Sequence, residues 1–153
     1  MAQTQTSSGD LDPALYVARV DNTGGTTGQV DIAGVDGPHP GTLPTGGPMD
    51  TARGYNPEQF LAMAWSTCLG ETLKVVIGKR GLEARSAVTV EVEMHDDPAG
   101  GFRFVPRATV TIDGVDAATA QDVLDAAHAR CPVSKLLTGR GGAMVRLDTG
   151  AQH

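Results

Sequence analysis

Two side chains dominate any chemical reading of this chain. Cys68 and Cys131 are its only thiols, 63 residues apart. One reading makes both small buried hydrophobes, a common fate of free cysteine. The sharper reading makes one a nucleophile and the other its resolving partner, which requires Cα atoms within about 7 Å in at least one state. Their spacing neither supports nor excludes that pairing, and it is not a zinc-ligand pattern. Two thiols are too few for a secreted disulfide scaffold, whereas a disulfide in a cytosolic protein tends to be transient and catalytic. The four histidines, His39, His95, His128 and His153, are scattered without ligand spacing, so no metal is expected. His128 could tune Cys131 three residues on, but a helix-surface position is the simpler expectation. Residues 139–142 (GRGG) lack the Lys-Ser/Thr and the strand–loop–helix setting of a phosphate loop.

The elements that must position the thiols follow from periodicity. Residues 1–12 are polar and aperiodic, and read as a disordered arm ahead of a single domain over 13–149. Residues 15–20 (LYVARV) read as a strand, and Asn22-Thr23-Gly24-Gly25 turns the chain into a second one at Gln29–Ile32. Residues 33–55 form a long Gly/Pro loop with room for one short strand; loops of that length are usually functional or mobile. A helix is strongly marked from Pro57 to about Lys79. Asn56 is a good N-cap, Pro57 suits the first helical position, and Gln59 can reach back to the cap. Phe60, Leu61, Ala64, Trp65, Cys68, Leu69, Leu73, Val76 and Ile77 give it a broad apolar face. Lys79 and Arg80 suit its C-terminal end, and Gly81 supplies the exit. At 1.5 Å per residue it would run about 35 Å, making it the central element, and its scarcity of charge predicts cover on most sides.

After Gly81 the period becomes two. Val88, Val90, Val92 and Met94 alternate with Thr89, Glu91, Glu93 and His95, the pattern of a sheet with one wet face. Residues 97–101 (DPAGG) turn the chain into a return strand over 102–112, with Pro106 marking a bulge or an edge. Asp116 caps a second helix, Ala117–Arg130, which Pro132 ends. A short turn over 133–137 and a last strand over 143–147 complete an α+β fold with antiparallel sheet.

Composition bounds the function. A chain of 153 residues fits one compact domain. Twelve Lys+Arg against 18 Asp+Glu, a formal charge of −6, argue against a nucleic-acid or anionic-membrane partner. No apolar run approaches the roughly 18 residues of a membrane span. The opening MAQTQTSSGDLDP has neither the basic start nor the apolar stretch of a secretory signal, so a cytoplasmic protein is expected. Only 4% of residues are aromatic, and the chain carries 20 glycines and nine prolines. That is a thin supply for a self-sufficient core, and oligomerisation would help bury apolar surface.

Asn56-Pro57-Glu58-Gln59 with a cysteine ten residues after the Glu, together with residues 127–134 (AHARCPVS), resembles the two cysteine motifs of the OsmC/Ohr family, the osmotically inducible and organic-hydroperoxide-resistance proteins. The likeness runs from about Leu15 to Asp148. It implies an OsmC-like fold, antiparallel sheets wrapped around a long central helix, in an intertwined homodimer with active sites at the subunit interface. It implies a thiol peroxidase for organic hydroperoxides, with Cys68 as the attacking thiolate and Cys131 as the resolving thiol. No bound cofactor is implied; an external dithiol, lipoyl-type in this family, reopens the disulfide. The family places the Glu of the first motif, Glu58, at the active site. Ten residues of helix separate Glu58 from Cys68 by about 15 Å, so the expectation is that Glu58 of one chain serves Cys68 of the other. Trp65, Phe60 and Met63 could line an apolar pocket for the substrate tail, or be core and interface residues.

Two departures stand out. A mid-helix thiol of ordinary pKa, about 8.5, is only about 3% ionised at pH 7 and needs a nearby cation. The hydroperoxide-resistance branch carries an arginine after the N-terminal Gly-Gly, where this chain reads Gly24-Gly25-Thr26-Thr27-Gly28. Arg53 is the candidate substitute, pairing with Glu58, against the plain alternative of a solvated loop charge; Arg19 is the weaker choice. Glu71, one turn after Cys68, would raise that thiol's pKa unless it simply pairs with Lys74. The alternative function is a weakly reactive redox sensor or ligand-binding protein on the same scaffold.

Overall fold

A computed structural model describes residues 14–34, 41–49, 53–141 and 143. The chain divides into two compact units that meet in sequence between Asn56 and Pro57.

The first unit is a small antiparallel sheet of β1 (Val20–Thr23), β2 (Gln29–Ile32) and β3 (Thr42–Pro44), with β2 in the middle. Its tight point is the β1–β2 connection, a 3-10 turn over Gly25–Thr27. Gly28 admits no side chain there, because a Cβ would lie 1.8 Å from the Thr23 carbonyl oxygen. Asn22 braces the turn: its side chain accepts from the Gly25 N–H at 3.0 Å and donates to the Gln29 carbonyl at 3.1 Å. The strand expected over 15–20 is displaced. Pairing begins at Val20↔Ile32 and runs to Thr23↔Gln29, so Asn22 and Thr23 belong to the strand and the turn starts at Gly24. Residues 15–19 have strand-like side chains but no ladder among the described residues, and Leu15, Tyr16 and Val17 are exposed. The short strand foreseen in the loop is β3.

The second unit holds both cysteines. Helix α1 (Pro57–Lys79) lies against the hairpin of β4 (Arg85–Asp96) and β5 (Phe102–Asp113) and against α2 (Ala117–Arg130), with α3 (Pro132–Leu137) closing the end. The β4–β5 register is unbroken from Arg85↔Asp113 to Asp96↔Phe102. Val88↔Val110 and Val90↔Ala108 therefore face the helix, as the alternation predicts. Pro106 marks an edge, since the register has no bulge and, among the described residues, each strand has one partner. Asp116 caps α2, accepting from the Thr119 N–H at 2.9 Å. Gly81, at φ 64, ends α1 as expected. The turn expected over 133–137 is instead the one-and-a-half-turn helix α3, because Pro132 suits a first helical position as well as it ends a helix. The last strand expected over 143–147 and the arm over 1–12 lie outside the described residues, apart from Ala143, which is not in a strand.

Leu69, Leu73, Val123, Ala127 and Cys131 are 0–2% exposed and form the core with Trp65, Val76 and Ile77. Residues 65, 69, 73 and 76 are spaced by three or four, one stripe of α1. The opposite stripe, with Met63, Thr67, Glu71, Lys74 and Val75, is exposed, so α1 is covered on one side and not on most sides. By length and composition α1 could also cross a membrane. Polar residues interrupt its apolar ones, so it holds no unbroken apolar run, yet its mean composition suffices. Its buried stripe packs as a core helix instead.

Leu73→Ala removes a fully buried side chain and should cost about 2–5 kcal/mol in urea unfolding. Asp116 offers a pH test. Hydrogen bonds from the backbone and side chain of Thr119 hold its carboxyl below the ordinary value. Its contribution is therefore complete above the unfolded pKa of about 3.9 and lost as pH falls through the lower folded value. The stability gap between wild type and Asp116→Ala should accordingly begin to narrow as pH falls below about 4 and close once the pH passes below the lowered folded value.

Candidate active site

The two cysteines come together although nothing in their spacing required it. Cys68 sits in the middle of α1 and Cys131 between α2 and α3, and their sulfurs are 3.4 Å apart. Both are free thiols. A disulfide bond is about 2.05 Å long, so roughly an ångström and a half of approach would join them. The two differ in access. Cys131 is completely buried, while Cys68 is half-buried.

Local sequence explains the placement. A residue before proline avoids helical backbone, and Cys131 is extended, at φ −61 and ψ 120. Its own N–H still closes α2 by donating to the Ala127 carbonyl at 2.9 Å. Pro132 then opens α3, which makes Cys131 the N-cap of that helix and leaves the N–H groups of Val133 and Ser134 without helical acceptors. They lie close enough to the thiols to favour the charged sulfur. On Cys131, burial opposes ionisation, but the N–H and hydroxyl of Ser134, the Cys68 thiol and the Val133 N–H outweigh it and hold the thiol below its ordinary pKa. On Cys68, burial pushes the pKa up, the Val133 N–H offsets part of that, and Cys131 adds to the rise. Within one chain, then, the negative charge prefers Cys131.

Ser134 is the residue that sequence reasoning missed. It is completely buried, and its Oγ accepts from the Trp65 indole Nε1–H at 2.9 Å. The signal was present: serine at the third position of a helix opened by Cys-Pro has its polar groups directed at the cap. Trp65 thus reaches toward the thiol pair through Ser134. It also lines a cleft of about 230 Å³ with Leu69, Ala108, Val110, Leu124, Asp125 and His128. Phe60 and Met63 are not among the lining residues; Met63 is exposed and Phe60 half-buried. His128 is exposed on the rim of that cleft.

The charged candidates are placed as follows. Glu58 lies in the first turn of α1, half-buried, with its Oε2 buried and lacking a hydrogen-bond partner. It shares one unbroken helix with Cys68, so about 15 Å separates them along the axis. Arg53 is an exposed residue of the first unit. Arg19 is the surface charge it could equally have been, bound to Asp21 at 3.1 Å. Glu71 takes the simple reading too, accepting from Lys74 Nζ at 2.9 Å on the exposed stripe. Among the described residues, no three His, Cys, Asp or Glu side chains gather as a metal site.

Comparison with known proteins bears on this geometry. Residues 49–142 match the OsmC-like protein family. The chain is 31% identical over 141 residues to the organic hydroperoxide resistance protein OhrB of Bacillus subtilis, covering 88% of this chain and 98% of that one. The crystal structure of OhrB superposes with a TM-score of 0.73, over 82% of this chain and 93% of that one. An organic hydroperoxide resistance protein-like protein of Mycoplasma pneumoniae is 40% identical over 84 residues, 54% of this chain and 59% of that protein's length. Peroxiredoxin OsmC of Escherichia coli is 30% identical over 88 residues, 56% of this chain and 62% of that one. The α+β architecture, a long helix with antiparallel sheets, is shared with the OhrB crystal structure.

Because Glu71 is exposed and engaged by Lys74, Glu71→Gln should move the pH midpoint of Cys68 alkylation by less than about 0.3 units, as expected for a screened surface charge. A downward shift beyond one unit would mean that this carboxylate acts on the thiol after all.

Proposed function

The chain belongs to the OsmC-like protein family, and on that premise we propose that it is a cysteine-based peroxidase that reduces organic hydroperoxides to alcohols. The observation that carries the reading is the thiol pair: one sulfur half-buried, the other sealed, 3.4 Å apart. The Cys68 thiolate attacks the terminal peroxide oxygen, the O–O bond breaks, and the alcohol leaves with a proton while Cys68 becomes a sulfenic acid. Cys131 attacks that sulfur, water leaves, and the disulfide forms. An external dithiol, lipoyl-type or similar, returns both thiols by exchange and is itself oxidised. The reducing cytoplasm would supply it, and no bound cofactor takes part.

This cycle needs Cys68 ionised, against the burial that raises its pKa in one chain. We propose that a homodimer answers that need, with Glu58 and Arg53 of one subunit serving Cys68 of the other. Three observations support it: the buried Glu58 oxygen without a partner, its separation from Cys68 along a single helix, and the uncovered stripe of α1. Exposed Leu15, Tyr16 and Val17 add apolar surface that a second chain could cover. Trp65, Phe60 and Met63 are proposed to meet the substrate's apolar tail.

A second reading is favoured by the direction of the Cys68 shift: a weakly reactive redox sensor or ligand-binding protein, with the 230 Å³ cleft as its pocket. The two readings separate on consumption of cumene hydroperoxide with dihydrolipoamide. The peroxidase should turn over rapidly, Cys68→Ser should abolish turnover, and Cys131→Ser should limit it with this dithiol. Arg53→Ala, which removes a cation that favours the thiolate, and Glu58→Gln, which removes the carboxylate that would hold that arginine in place, should each lower kcat/KM about tenfold or more. Wild type no faster than Cys68→Ser would leave the sensor or binding role.

A further inference from the structure

We propose that Ser134, held by the Trp65 indole, is a positioning residue for Cys131: it directs its hydroxyl hydrogen at the Cys131 sulfur and so stabilises that sulfur as the leaving group when the disulfide is reduced. The inference rests on the disulfide cycle proposed above and concerns its reductive half. A serine hydroxyl offers one hydrogen and two lone pairs, whereas indole nitrogen only donates. With the Trp65 N–H filling one lone pair at 2.9 Å, the oxygen is fixed as an acceptor toward α1, and from the third position of α3 its hydrogen is left to reach back to the cap residue, Cys131. Ser134 and Cys131 are both completely buried and Trp65 nearly so. No water is needed to satisfy the group, and the hydroxyl cannot swing away to solvent. Trp65 and Ser134 are 69 residues apart, so the tertiary packing of α1 on α3 sets this orientation.

Access decides which sulfur needs the help. In the fully buried Cys131 an incoming thiolate has no approach, whereas the half-buried Cys68 presents one. The reducing dithiol must therefore attack Cys68. A bond forms between the reductant sulfur and the Cys68 sulfur, the Cys68–Cys131 bond breaks, and its electron pair stays on Cys131. The second thiol of the reductant then closes its own disulfide and releases Cys68, so that two electrons and two protons have passed to the protein. Exchange is faster when the departing thiol is a better leaving group. The Ser134 hydroxyl and the Val133 and Ser134 N–H groups all act on that departing sulfur.

The test avoids peroxide altogether. In a Cys68→Ser background the ultraviolet absorbance of the thiolate reports the titration of Cys131. In the two-cysteine protein, oxidised with diamide, rapid quenching with a thiol-alkylating reagent followed by mass measurement reports opening by dithiothreitol, a readout that does not depend on Trp65. Ser134→Ala should move the Cys131 midpoint up by about one pH unit and slow opening by roughly threefold or more. Ser134→Thr, which keeps the hydroxyl, should restore both values, and Trp65→Phe, which frees the hydroxyl to rotate, should give part of the loss. An unchanged titration and opening rate in folded Ser134→Ala, or the same losses in Ser134→Thr, would overturn the proposal. Shifted values in a protein that fails to consume cumene hydroperoxide would uphold the role of Ser134 while removing the peroxidase reading.

Discussion

Pro132 has no amide hydrogen to give to the helix before it, and its ring disfavours helical backbone at Cys131. Everything at the thiol pair depends on that. Because α2 must stop, Cys131 turns to face α1; because proline is well suited to a first helical position, α3 starts at once. The same residue is thus the last capped by one helix and the first cap of the next. Its sulfur lies at the cap of a new helix, whose first N–H groups favour its charged form, next to Cys68 from another element. A continuous α2 would carry the residue on to another helix face and leave those N–H groups bound to carbonyls.

The surroundings then treat two chemically identical groups differently. Both thiols lose water, and burial alone would raise both pKa values. Cys131 recovers through hydrogen bonds to its charged form, while Cys68 has one such donor and a neighbour that competes for the charge. Buried, hydrogen-bonded sulfur and accessible, unsupported sulfur suit different halves of a thiol cycle. The first makes a good leaving group, and the second needs a charge from outside its own helix before it can be a good nucleophile.

The parts legible in the sequence were those written redundantly. Helix α1 was marked by Pro57 at its start, Gly81 beyond its end and an apolar stripe between, and its bounds were read correctly. The β4–β5 hairpin was stated twice, once in each strand's alternation, and Asp116 announced α2. Where a single signal had to serve, the reading slipped. The bulky residues 15–20 looked like a strand, but a strand is defined by a partner, and β2 takes Val20–Thr23. Pro132 could end a helix or begin one; only packing shows that it does both. The apolar residues of α1 implied cover on most sides, whereas one chain supplies cover on one. At the site, the identity of the two thiols was legible but their proximity was not, since contact between residues 63 apart is a tertiary fact. Ser134 was hidden for the same reason: its partner, Trp65, lies on the far side of two strands and a helix in sequence.

The β4–β5 ribbon has a further consequence. Its ladder runs unbroken over twelve pairs, and neither strand has a second neighbour among the described residues. In an antiparallel pair, alternate residues aim their backbone groups at the partner and the intervening ones aim them outward. Along each strand, protected amides therefore alternate with amides open to deuterium, a checkerboard of fast and slow exchange. A chain that came to lie along one edge would erase that pattern on one strand only, so exchange read residue by residue would identify the edge it chose.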